Sequence, residues 1–292
     1  MNAADEHLAT RRAAGLFDFS FMGLYEFHTK SELASLQTRD LDAMATGQIA
    51  YTLLLKPDGA VLIDATVWRL DAERFWLFAG KRSAYGGRDR SGEFAILALQ
   101  GPESGRILAR LIGRDAVLSL KYFHFIRRPM LVGRIGYSGE LGYELLVPID
   151  EEPALRHRLL HLGAGNGLRA CSWAAADSLR IESGYVLFDR EVDGKANPRE
   201  LGLDRLAPGR TFRLTRRLVG LQIFEEPARA DLPRAQVTSK CFSPTLDKTL
   251  ALGFVAPGVA AGSLVRTDDH VARVSTLPFY DPDRSRPRQN PF

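Results

Sequence analysis

Between Arg134 and Pro148 the chain reads Arg-Ile-Gly-Tyr-Ser-Gly-Glu-Leu-Gly-Tyr-Glu-Leu-Leu-Val-Pro. Three glycines within seven residues (Gly136, Gly139, Gly142) rule out a stable helix there, because glycine loses the most conformational freedom on ordering. They mark a loop that turns sharply or lets another group approach the backbone. Tyr143 to Val147 then resumes as a strand, so a glycine-hinged loop carrying Tyr137, Ser138 and Glu140 is delivered by a rigid element. Loops held by a scaffold in this way are where binding and catalytic side chains concentrate.

Other segments have comparable texture. Leu97-Ala-Leu-Gln-Gly-Pro102 precedes a helical run with Ile107, Leu108, Leu111 and Ile112 on one face, and Asp177-Ser-Leu-Arg-Ile-Glu-Ser-Gly184 is a helix end stopped by glycine. That stretch continues into Glu191-Val-Asp193 and Asn197-Pro198, and later come Val237-Thr-Ser-Lys-Cys-Phe-Ser-Pro-Thr-Leu246 and Leu250-Ala-Leu-Gly-Phe-Val255. In that order, and with Gly15-Leu-Phe-Asp-Phe-Ser-Phe-Met22 at the start, the segments resemble the motifs of the glycine-cleavage T-protein (aminomethyltransferase) family, which binds tetrahydrofolate. The resemblance spans most of the chain.

Composition fixes the class and little else. The 292 residues suffice for two compact domains, and a hydrophobic fraction of 45% with a quarter charged is ordinary for a globular protein. Net charge is +4 from 39 basic and 35 acidic side chains spread along the chain, without the dense basic stripe expected of a nucleic-acid binder. A modest positive excess suits an anionic ligand such as the glutamate tail of a folate and suits a solvated surface equally. Cys171 and Cys241 stand far apart without further Cys or His at metal-ligand spacing, and His157 and His161 lack acidic or cysteine companions, so no metal site is expected. Residues 1–12 are polar and charged, and no apolar stretch approaches the ~20 residues of a membrane span, so a cytoplasmic protein is expected.

Strand signals at Tyr51 to Leu55, Val61 to Leu70 and Arg74 to Ala79, joined by the turn Pro57-Asp58-Gly59, predict a meander. Residues 81–92 read as a loop; helices are expected at 103–112, 151–163 and 174–183, with strands around the glycine loop from 121 to 147. Beyond Ala207-Pro208-Gly209 strands follow one another between Pro and Gly, which predicts a small antiparallel barrel. The expected organisation is an α+β region over 1–212, a β-barrel over 213–280 and a mobile tail over 281–292. The resemblance implies that the first region consists of two intertwined subdomains around a central funnel. Residues 81–92 and 197–218 are shorter than their family counterparts, which would reshape the funnel's rim.

Asp64 lies inside the apolar run Ala60-Val-Leu-Ile-Asp-Ala-Thr-Val67. Strand alternation alone would turn it to solvent; burial would make it a costly and therefore used carboxylate. By resemblance it matches the aspartate beside the reactive nitrogens of folate, and Tyr51 matches a tyrosine lining the funnel, so these two are the expected catalytic residues. Glu182 matches the glutamate that receives the pterin ring, and residue by residue its alternative is an ion pair with Arg180 or Lys195. Tyr137, Glu140 and Arg210 are further expected contacts to folate or substrate.

Three positions depart from the family pattern. Phe21 stands where T-proteins have His, Phe78-Ala79-Gly80 where they have an Asn that touches the pterin, and Ala176 where they have Arg. With the shortened rim, the apolar Phe21 favours a small-molecule one-carbon donor or acceptor over a lipoyl carrier protein. The function the resemblance implies is tetrahydrofolate-dependent transfer of an aminomethyl, methylene or methyl unit. Two alternatives stand beside it: a folate-binding protein of the iron–sulfur-repair type, whose "KGCYxGQE" signature is absent at Lys195-Ala-Asn-Pro-Arg-Glu-Leu201, and the same fold recruited to a non-folate compound.

Overall fold

A computed structural model describes residues 2–127 and 129–292. Helix α1 (Ala3–Arg12) leads into β1 (Ala14–Asp18) and β2 (Gly23–Phe27). The short α2 (Lys30–Ala34) precedes a meander of β3 (Ile49–Leu55), β4 (Val61–Arg69) and β5 (Phe75–Ala79), and the two-residue β6 (Arg88–Asp89) interrupts the loop expected over 81–92. Strand β7 (Phe94–Gln100) feeds α3 (Ser104–Ile112) and α4 (Arg114–Ser119); β8 (Phe125–Arg127), β9 (Leu131–Gly133) and β10 (Gly142–Pro148) follow. Helix α5 (Glu152–Gly163), β11 (Leu168–Ala170) and α6 (Trp173–Glu182) close the first region. The remainder is β12 (Arg217–Pro227), β13 (Gln236–Ser243), β14 (Lys248–Val255), β15 (Leu264–Arg266) and β16 (His270–Ser275).

These strands form three sheets: a six-stranded one in the order β11-β1-β7-β10-β9-β8, and two of five strands, β3-β4-β5-β2-β6 and β13-β14-β12-β16-β15. The chain leaves the first sheet after β1, builds the whole of the second, and returns with β7, so the two subdomains are intertwined. The six-stranded sheet is covered on both faces, by α3 and α5 over one (Leu97, Leu99, Leu145, Leu159) and by the meander and α6 over the other (Ile96, Leu146, Trp68, Phe78, Leu179). Double burial is why β7 reads as an unbroken apolar run rather than an alternating one.

The C-terminal sheet is antiparallel throughout. A parallel bridge between Arg234 and Arg266, with the Ala235 N–H donating to Arg266 O at 2.8 Å, joins the chain ahead of β13 to β15, so the sheet's two edges meet there. The sheet docks on α6, where Ile181 packs with Leu250 and Leu252.

The polar start takes a definite form, and the tail is placed differently from the sequence reading. The polar start is helix α1, capped by Asn2 with Asp5 and Glu6 in its first turn and Arg11 and Arg12 in its last, the charge order that complements the helix dipole. The tail does not trail away: Arg134 donates to Gln289 O at 2.5 Å, Pro287 is buried, and Phe292 packs against the core between the six-stranded sheet and helices α3 and α5, beneath the Arg114 guanidinium. Among the described residues no helix is long and apolar enough to cross a membrane.

Candidate active site

Alternation along β4 divides its side chains between two environments. Ile63, Ala65 and Val67 face the meander's own core, whereas Trp68, two pairs along from Asp64, faces the six-stranded sheet. Asp64 shares that second face, so it points into the space between the subdomains rather than out to bulk water. The cross-strand partner of Thr66 is Tyr51, and the Tyr51 hydroxyl donates to Asp64 Oδ2 at 2.8 Å. Burial raises the Asp64 carboxyl above its ordinary value while the Tyr51 hydrogen bond pulls it back down. The tyrosine is pushed well above its usual range by burial and by the Asp64 charge, and so remains a neutral donor.

Aromatic rings flank this pair. Tyr137, from the glycine loop, is fixed by donating its hydroxyl to Val186 O at 2.6 Å. Its ring stacks on Tyr185 at 5.8 Å and on Trp173 at 6.5 Å, with interplanar angles of 18° and 15°. Trp173 meets Phe21 edge to face at 5.1 Å, and Phe21 lies 6.4 Å from Phe188. Phe188 covers Gly80, where an added Cβ would come within 2.5 Å of the Phe188 ring. Gly80 and Asp64 are the next positions along β5 and β4 past the Ala65–Ala79 pair, which brings the wall back to the carboxylate. Tyr51, Asp64, Tyr137, Tyr185 and Phe188 are partly exposed, and Phe21 and Trp173 are each 41% exposed, as residues lining an opening should be.

Glu182 and Glu140 belong to a different constellation. Arg11 donates to Glu182 Oε2 from Nε at 3.0 Å and Nη2 at 2.7 Å, while Glu182 Oε1 is met by His7 Nε2 at 3.0 Å and by the Ser243 hydroxyl. Burial alone would raise this carboxyl, but His7, Arg11 and Ser243 outweigh it and hold the pKa low. With both oxygens taken by the chain's own donors, Glu182 is not free to accept the paired donors of a pterin edge, and the role expected from resemblance is not carried by this geometry. Glu140 accepts from Arg11 Nη1 at 3.0 Å with Arg286 3.6 Å from its other oxygen, and burial raises its pKa. Arg210 is exposed on the loop ahead of β12, where its N–H donates to Ala207 O at 3.3 Å.

Of the six expected site residues the structure therefore brings together Tyr51, Asp64 and Tyr137. Sequence reasoning missed Trp173, Tyr185 and Phe188 as wall residues, and Arg11 and His7 as the partners of Glu182. A Trp opening a helix and the two aromatics between Glu182 and Glu191 were the available signals for the wall. The helix signature of residues 2–12, whose period puts His7 and Arg11 on one face, was the signal for the partners.

Arg180 and Glu191 form a third buried unit. Arg180 pairs with Glu191 Oε2 at 2.7 Å and with Asp177 at 2.8 Å, and Glu191 accepts from Thr238 and Ser239, both at 2.6 Å, and from the Leu187 N–H at 2.9 Å. Through these bonds β13 holds the loop that carries Tyr185 and Phe188.

Two family models match: "GCVT N-terminal domain" over residues 1–208 and "Glycine cleavage T-protein C-terminal barrel domain" over residues 216–281. The aminomethyltransferase of Symbiobacterium thermophilum is 33% identical over 94% of this chain and 88% of its own length. That of Chlorobaculum tepidum is 31% identical over 96% and 90%. Among solved structures, the glycine cleavage system aminomethyltransferase T from Bartonella henselae superposes with a TM-score of 0.80 at 26% identity, covering 96% of this chain and 90% of that one.

Proposed function

The chain belongs to the glycine cleavage T-protein family, and on that premise we propose that it is a tetrahydrofolate-dependent one-carbon transferase, an aminomethyltransferase or methyltransferase that exchanges a one-carbon unit between folate and a small molecule. The observation that carries this reading is the Tyr51–Asp64 pair set among stacked rings. Tetrahydrofolate would supply the nitrogen that bears the one-carbon unit.

The residues present suit such a ligand in two respects. Tyr137, Tyr185 and Trp173 offer parallel ring faces on which a flat bicycle can stack. Asp64 is a carboxylate with an oxygen left over after Tyr51 has been satisfied. Hydrogen bonds to the polar edge of the ring must come from groups other than Glu182, whose oxygens are occupied.

The chemical part of Asp64 is electrostatic. Transfer at a nitrogen-bound carbon develops positive charge, and a fixed carboxylate in a partly desolvated wall stabilises that charge without having to reorganise. Tyr51 keeps the carboxylate oriented, and its hydrogen bond opposes the upward shift that burial gives the Asp64 pKa. The same oxygen can take a proton from an incoming or departing amine.

The test is a calorimetric titration with tetrahydrofolate of wild-type protein and of Asp64→Ala and Tyr137→Ala. Micromolar binding that weakens in Tyr137→Ala, together with transfer activity lost in Asp64→Ala, is the expected outcome. No binding to the wild type, with activity untouched by Asp64→Ala, would overturn the reading.

A further inference from the structure

We propose that the wall formed by Phe21, Trp173 and Phe188 beside Asp64 receives a quaternary ammonium group, so that the small-molecule partner of this site is a methylated onium compound. The inference rests on the transferase reading and deepens it. Two of the chain's departures from its family's motifs, Phe21 and Gly80, turn out to be one structural change. Phe188 occupies the space that a side chain at position 80 would need and leans on the Phe21 ring at 6.4 Å. Two places for polar side chains have thus become one continuous aromatic surface.

That surface is left open. Phe21 and Trp173 are among the few large apolar side chains of the protein exposed by about two fifths, and they touch each other at 5.1 Å with their planes at 83°. An edge-to-face pair leaves a ring face turned outward, and ring faces carry the negative end of the aromatic quadrupole. Asp64 places a carboxylate beside this surface, and the neighbouring cations are engaged elsewhere, Arg82 by the Ser20, Met22 and Ser91 carbonyls. Arg180 is paired with Asp177 and Glu191, and Lys81 with Asp189 at 3.0 Å. The opening therefore favours a cation that the chain itself does not supply.

The kind of cation follows from hydrogen bonding. A primary ammonium entering here would give up water and find rings where it needs acceptors, leaving N–H groups unpaired at a real cost. A fully methylated nitrogen has no N–H to satisfy; its methyl groups bury apolar area against Phe21 and Phe188 while its charge is met by Trp173 and Asp64. Glu182 and Glu191 are saturated by internal donors, and Asp177 and Asp189 are paired with Arg180 and Lys81, so the other nearby acids are already engaged.

The probes are choline and its uncharged isostere 3,3-dimethylbutan-1-ol, titrated by calorimetry into wild type, Phe21→Leu, Trp173→Leu, Trp173→Phe and Asp64→Asn, each also titrated with tetrahydrofolate and melted to check folding. Choline is expected to bind wild type at least tenfold more tightly than the isostere. Loss of either ring should weaken choline roughly three- to tenfold, Trp173→Phe should restore most of that loss, and the isostere should respond to neither Asp64→Asn nor Trp173→Phe. Tetrahydrofolate binding without any preference for choline over the isostere overturns this inference and leaves the transferase reading intact. Choline binding with no tetrahydrofolate binding overturns the transferase reading, and with it the assignment of the onium compound as a one-carbon partner.

Discussion

Glu144 lies on β10 with Ala98 opposite it on β7 and Gly133 opposite it on β9, in the layer between the six-stranded sheet and the meander. The Trp68 ring stands over Gly133, and Phe17 is the next residue in the same row, so the carboxyl is set among apolar groups and is 7% exposed. Burial, the sole perturbation acting on it, pushes its pKa from 4.5 up to about 7. The sign follows directly. Below pH 4.5 the group is neutral in both folded and unfolded chains and costs nothing. Between 4.5 and about 7 the unfolded chain ionises first, so stability is lost as pH rises through that window, and above it the loss stays constant.

At 1.36 kcal/mol per unit, the cost grows from just under ~1 kcal/mol at pH 5 to about 3 kcal/mol at pH 8. Glu144→Gln removes the ionisation while keeping the shape. Urea denaturation of both proteins at pH 5 and pH 8 gives a double difference from which every other titrating group cancels. The variant should gain about 2 to 3 kcal/mol relative to wild type on going from pH 5 to pH 8. An amide that finds its own hydrogen bonds poorly would offset both values equally and leave that gain unchanged. A variant whose advantage is the same at both pH values would show that Glu144 reaches water or a donor when ionised, and the reasoning would fail.

Other expectations are as direct. Gly80→Asn should cost roughly 1–3 kcal/mol in thermal or urea melts through overpacking against Phe188, and Gly80→Asn with Phe188→Ala should recover most of it; a neutral single variant would mean that Phe188 is not filling that space. Arg11→Met should destabilise by about 3–5 kcal/mol because it leaves Glu140 and Glu182 buried without their cation, while Arg210→Met, on an exposed loop, should stay within about 0.5 kcal/mol in the same urea assay. Tyr51→Phe removes the hydrogen bond that lowers the Asp64 pKa, so the Asp64 carboxyl should titrate at higher pH by carbon-detected NMR, and the acid limb of any activity profile should move the same way.

The elements of this fold were legible because their signals are local. The glycine loop declares itself: Gly139 has φ 78°, and a Cβ there would strike the Ser183 side chain, while Gly136 and Gly142 both lie against the Gln100 amide. The meander, the helices before Gly113, Gly163 and Gly184, and the run of C-terminal strands follow from periodicity and breakers in the same way. What could not be read was the division of labour among acids. Asp64 and Glu182 look alike in sequence, each a carboxylate in an apolar run. One faces an opening with a single tyrosine for company; the other is enclosed by Arg11, contributed by a helix 171 positions away in the chain. Placement of the tail failed for a related reason: a proline- and arginine-rich segment resembles a mobile end unless one knows that the distant Arg134 guanidinium donates to the Pro287 and Gln289 carbonyls.

The division of acids also explains why the C-terminal sheet is more than an appendage. Its strand β13 supplies Thr238 and Ser239 to Glu191 and Ser243 to Glu182, so each of the two carboxylates that close helix α6 and the loop after it is fixed by hydroxyls from the other domain. Glu191 in turn holds the Leu187 N–H, and Val186 O receives the Tyr137 hydroxyl. Tyr185, Phe188 and Tyr137 are therefore oriented by bonds that begin in β13, while Trp173 sits at the opposite end of the same helix, α6, whose N-terminal Ser172 N–H is capped by Glu6 at 2.7 Å. The aromatic wall is thus built from both subdomains but held by the C-terminal sheet and α1. Substitutions in β13 that never approach a ligand should act on ligand geometry all the same, because buried hydrogen-bonded carboxylates have no alternative partners to which they can relax.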